Sequence, residues 1–146
     1  MVVSKGSIPL QALGNTFPFI TSFINNMRKI EREMIQAIID RRDWRKANTE
    51  VEIYPSFAMI MLHGHEIGKY YFKDSTLLIT NCGYETNTTK SRLNALINLS
   101  HGGLVGVVQR NFNWFIRYHF NGSYRLFDWD GGWLNVEPSW LASGLA

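Results

Sequence analysis

Cysteine is almost missing from this chain: among 146 residues only Cys82 carries a thiol. A lone cysteine closes no internal disulfide and builds no cysteine-rich zinc module, and the reducing cytosol suits it. Charge is sparse at 18% of residues, and no apolar run approaches the roughly 18 residues of a membrane-crossing helix. The opening stretch, MVVSKGSIPLQAL, has neither the charged start nor the continuous apolar segment of a secretory signal. Signatures of common catalysts are missing too. There is no glycine-rich phosphate loop, no Gly-x-Ser-x-Gly elbow and no His-Glu-x-x-His pair. The expectation from these absences is a soluble cytoplasmic protein that is not an enzyme, needs no cofactor and engages no membrane.

What is present points to a single α+β domain over residues 1–146. That length buries a core without staples. Aromatics at 14% and twelve glycines favour strands joined by tight turns over a helical bundle. Residues 1–20 read as an arm broken by Gly6, Pro9, Gly14 and Pro18. Residues 21–48 read as one long helix, capped by Thr21 or Ser22, with Phe23, Met27, Ile30, Met34 and Ile38 at spacings of three and four. Seven basic and four acidic residues fall in that segment, so it holds the whole net charge of +3. The apolar stripe ends near Ile39, and cations replace it: the helix either stops there or offers a basic end.

From Thr49 the period changes to two, and residues 49–136 read as antiparallel sheet carrying an inserted short helix at 89–99. EVEIY, FAMIML, EIGKYYF and TLLIT are the first strands; VGVVQR, WFIRYHF, YRLFDW and WLNV form a closing meander. About six to eight short strands are expected, in one sheet or two. Within WFIRYHF, Trp114, Ile116, Tyr118 and Phe120 share one face, and Phe115, Arg117 and His119 the other. Residues 137–146 read as a tail.

One stretch has a recognisable pattern. Leu62, Gly64, Ile67, Gly83, Thr86, Thr88, Thr89, Arg92, Leu93 and Asn94 fit Leu-x-Gly-Asn-x-Ile-Ala followed by Gly-Trp-x-Thr-x-Thr-Thr-x-x-Arg-Leu-Asn. His65, Gly68 and Tyr84 replace the asparagine, alanine and tryptophan of that pattern. In this respect the chain resembles small bacteriophage and prophage proteins of uncharacterised activity, over about half its length. Its stretch GVVQRNFNWFIRY resembles the segment C-terminal to the motif in those proteins. The resemblance implies a phage-type accessory protein made in the host cytoplasm, and it does not extend to the segment 21–48.

Three features can carry function, each with a plainer alternative. At ETNTTKSRLNAL, residues 85–96, the N–H groups of a helix start with Thr88, Thr89, Lys90 and Arg92 suit a phosphate. Otherwise Thr88 or Thr89 merely caps the helix. In RRDWRK, the cations Arg41, Arg42, Arg45 and Lys46, with Trp44 packed beneath, suit nucleic acid or an acidic partner, or else form a solvated face. In the strands, Trp114 and Trp133 with Arg110, Arg117 and Arg125 suit base stacking, or else fill the core. Weaker arrangements are the His63-x-His65 pair and Asp128 with Asp130 as metal ligands, and Cys82 with His63 or His101 as a nucleophile. The reading favoured is nucleic-acid binding through the basic helix end and the aromatic and threonine surface. The alternative is a protein that inhibits a host enzyme or defence complex. The apolar arm and helix also suit a homodimer.

Overall fold

The computed structural model describes residues 27–137. The arm, the start expected for the first helix and the tail lie outside the described residues. Helix α1 covers Lys29–Asp40 and buries Met34, Ile35, Ala37 and Ile38, as their spacing requires. It does not continue to residue 48. Arg41 turns left-handed (φ 53°, ψ 54°), and the Arg42 N–H closes the helix on the Ala37 carbonyl at 2.9 Å. The reason lies in the stripe: another turn would drive cations into the core face. The strained Arg41 backbone is compensated in part by its guanidinium, 4.2 Å above the centre of the Phe72 ring. Asp43 then accepts the Ile53 N–H at 2.8 Å and steers the chain back as an edge strand.

That strand, β1 (Trp44–Lys46), opens a six-stranded antiparallel sheet with β2 (Thr49–Ile53), β3 (Phe57–Leu62), β4 (His65–Tyr71) and β5 (Leu77–Ile79) in chain order. The sixth member, β9 (Leu134–Val136), arrives from far along the chain and pairs with β5. Ile60 opposes Gly68 while Met61 opposes Glu66, so Ile67 bulges out of β4. Val51, Ile60 and Ile79 lie on one face, covered by α1 and by α2 (Asn87–His101). Gly68 permits the close approach of α2, because a Cβ there would meet Leu96 Cδ1 at 3.0 Å. The helix expected to be short, 89–99, is the longer of the two described, at 15 residues against 12.

A second antiparallel sheet holds β6 (Val105–Arg110), β7 (Asn113–Phe120) and β8 (Ser123–Asp128). Its hairpins turn on Asn111-Phe112 and Asn121-Gly122, all with positive φ, the twist that two-residue links require. The expected meander therefore stops after three strands. Asp130-Gly131-Gly132 makes no hairpin but carries the chain back to β5. Between the sheets lies α2, whose Asn94 grips the outer edge of β6. Its amide donates to the Val107 carbonyl at 3.0 Å and accepts the Val107 N–H at 2.7 Å. A side chain thus pairs with the edge as a neighbouring strand would.

Candidate functional site

The threonine-rich helix start resolves into separate jobs. Thr86, in extended conformation, is the N-cap: its hydroxyl accepts the Thr89 N–H at 3.1 Å and lies 3.0 Å from the Thr89 hydroxyl. Thr88 and Thr89 are therefore not the cap; Thr89 is buried beneath it. Thr86→Ala is expected to cost about 1 kcal/mol, and Thr88→Ala no more than about 0.5 kcal/mol. Urea unfolding of both variants checks this order, and equal losses would rule out Thr86 as the cap.

Two cations expected to hold an anion are turned elsewhere. Arg92 is 4% exposed; Nη1 donates to Glu31 Oε2 at 2.8 Å and Nε to the Thr49 hydroxyl at 3.0 Å. The Ser91 hydroxyl donates to the same Glu31 oxygen. Arg92 thus ties α2 to α1 and β2 and is unavailable to a ligand. Lys90 reaches Gln109 Oε1 at 3.4 Å. What remains is a cavity of about 360 Å³ against the first turn of α2, lined by Leu62, His63, Ile67, Asn81, Tyr84, Thr86, Thr88 and Thr89.

The basic segment is scattered by the early end of α1. Arg42 Nη2 lies 3.6 Å from Asp40, and Lys46 Nζ lies 3.2 Å from Glu33. Glu33 precedes the C-cap Arg41 by eight residues, roughly 12 Å along the α1 axis, so Lys46 is anchored about two turns away from Arg41. Arg45 projects from the other face of β1, in register with Glu50. Trp44 packs half-buried on the core. These residues form no single cationic cluster.

Of the tryptophans, Trp114 is 3% exposed and packs against Trp129 with ring centroids 6.0 Å apart. It belongs to the core. Trp133 is half exposed, with Lys69 Nζ 5.7 Å from its ring centre. The alternation that buries Trp114 turns Phe115, Arg117 and His119 to the opposite face of β7, where each keeps part of its surface in solvent. Across the strands, Phe115 opposes Val108 and Asp128, Arg117 opposes Gly106 and Leu126, and His119 opposes Tyr124. The His119 and Tyr124 rings lie 5.8 Å apart, and Tyr124 is 47% exposed. Arg110, exposed at the end of β6, shares this face. The Arg117 Nε is buried and meets no acceptor among the described residues. The signal for this face is the alternate positions of NWFIRYHF, which its tryptophan overshadows.

The weaker arrangements come apart. His63 sits at φ 53° in the β3–β4 turn, and His65 Nε2 lies 3.1 Å from the Tyr84 hydroxyl. Asp130 accepts the Gly132 N–H at 2.8 Å. No hydrogen bond joins the exposed Cys82 thiol to a histidine, and no three potential metal ligands come together, among the described residues. No described helix is long and apolar enough to cross a membrane.

No curated protein and no solved structure matches this chain. A family model does, over residues 27–135, which take in nearly every element described above and well over half of the chain. It is described as Kyanoviridae Gp96 protein, and the chain therefore belongs to this bacteriophage family.

Proposed function

We propose that this protein is a non-catalytic phage accessory factor that binds single-stranded nucleic acid on the outer face of the β6–β7–β8 sheet. The observation that carries the reading is the row Phe115, Arg117, His119 on β7, flanked by Tyr124 and Arg110. Aromatic faces stack on bases of any sequence, and interleaved guanidiniums take the phosphates. The dispersed cations Arg41, Arg42, Arg45 and Lys46 supply at most a diffuse attraction, each of the first two and the last having a neighbour of its own.

Fluorescence anisotropy with labelled single-stranded and duplex oligonucleotides across a salt series tests this. Single strands should bind more tightly, and Phe115→Ala or Tyr124→Ala should each weaken binding by about 1–3 kcal/mol. Arg110→Ala with Arg117→Ala should flatten the log–log salt slope by about 1.4, at roughly 0.7 per phosphate contact on a single strand. The triple variant Arg41→Ala/Arg42→Ala/Arg45→Ala should leave the slope nearly unchanged. Absence of binding at low salt, or a loss confined to the triple variant, overturns the proposal.

Inhibition of a host protein is favoured by a different observation. Phe112 is 87% exposed at φ 68° in a hairpin tip, a conformation that a bulky side chain adopts at a cost. If oligonucleotides fail to bind and Phe112→Gly abolishes capture of a host protein, this second reading takes the place of the first.

A further inference from the structure

We infer that the cavity at the start of α2 binds an uncharged planar heterocycle of the nucleobase or nucleoside class. Its volume of about 360 Å³ lies at the small end of ligand pockets, which run to roughly 1,000 Å³. Among the described residues that line it, none is a lysine, an arginine or a carboxylate. Of the nearby cations, Arg92 is held by Glu31, and Lys90 reaches away toward Gln109. The lining therefore offers a phosphate no permanently charged side chain, whereas a neutral ligand needs none.

The walls suit a flat ring. Leu62 and Ile67 form an apolar floor, both buried. Tyr84 stands at the mouth, its ring 5.0 Å from that of His65 and its hydroxyl fixed by the His65 Nε2. Polar groups are few and convergent. Asn81 is 2% exposed, and its Oδ1 is held by the Gly83 N–H at 2.8 Å, which sets the orientation of the amide. Its Nδ2 then has no acceptor among the described residues. A buried amide donor left unpaired costs about 1–3 kcal/mol, and this one packs against Gly131 at the back of the cavity wall. The Thr88 hydroxyl adds a group able to donate or accept. At the first turn of α2, the N–H groups of Asn87 and Thr88 have no intrahelical acceptor. Apolar faces, an acceptor-bearing edge and no charge together describe a nucleobase.

The inference concerns a site apart from the β6–β8 face and does not depend on that face binding anything. The test is an NMR titration of the full-length protein with the common ribonucleosides, followed by inorganic phosphate as competitor. Saturable shifts should centre on Thr88, Tyr84 and the Asn81 side-chain amide for at least one nucleoside, with no displacement by phosphate. Tyr84→Ala, at a half-exposed position, and Thr88→Val should each weaken binding about tenfold with the spectrum otherwise native, and Phe115→Ala should change nothing. Competition by phosphate, shifts confined to the β6–β8 face, or no saturation at millimolar nucleoside would each overturn the assignment. Oligonucleotide binding lost on Phe115→Ala would, by contrast, bear on the sheet face alone.

Discussion

Arg92→Ala is expected to destabilise the protein by about 3–5 kcal/mol, the largest effect of any single truncation at the helix start. The cost comes from what is left behind. Glu31 is 3% exposed and would keep a carboxylate whose strongest partner is gone, while the Thr49 hydroxyl loses the Nε donor. Glu31→Ala should cost a similar amount by stranding the guanidinium. The pair itself is a poor source of stability, because desolvation of both charges offsets much of their attraction. Glu31→Met combined with Arg92→Met should therefore recover more than half of the loss. Urea midpoints of the two single variants and the double one decide the matter. A loss below about 1 kcal/mol for Arg92→Ala would mean the charges are not confined as described.

Gly131→Ala should come second, at about 3–5 kcal/mol, lowering Tm by roughly 6–20 °C for a domain of this size. Two costs add. The backbone at φ +90° disfavours a side chain by roughly 1–2 kcal/mol. A Cβ would also fall 2.3 Å from Asn81 Nδ2, far inside contact distance, and nothing there is the loose end of a flexible chain. Asn81 must move, yet its side chain holds the Gly83 N–H, and its own N–H is held by the Gly131 carbonyl at 2.9 Å. The same carbonyl accepts the Thr80 hydroxyl at 2.7 Å. The substitution thus loosens the junction between β5, the approach to α2 and the strand β9. Calorimetry of Gly131→Ala measures this, and a Tm within about 2 °C of the parent would contradict the packing of Asn81 on Gly131.

Strands were largely legible in the sequence, because period-two alternation and turn pairs such as His63-Gly64 and Asn121-Gly122 act within a few residues. Elements that depend on distant partners were not. Trp44-Arg45-Lys46 has no alternation of its own, and becomes a strand only because β2 offers an edge and Arg41 accepts a left-handed backbone. WLNV has strand character, but nothing local says that it leaves the meander for β5. The helix start shows the same division at the level of chemistry. Its position was readable from threonines and a leucine ladder. The fate of Arg92 was not, since Glu31 lies 61 residues away in the chain. Arg92, Leu93 and Asn94 thus stand side by side in one motif but serve α1, the core and β6 in turn.

The pairing of β9 with β5 bears on the order of events as the chain is made. Strands β1 to β5 are joined in chain order by links of two to five residues, so their pairings are local ones that close early by the relation between contact order and speed. The outer edge of β5 must then wait while α2 and the entire three-stranded sheet emerge. Its neighbour lies beyond all of them, at Leu134–Val136. Until then β5 is an edge, and the short, distant strand that covers it is the pairing of longest sequence separation in the large sheet, the kind that closes late.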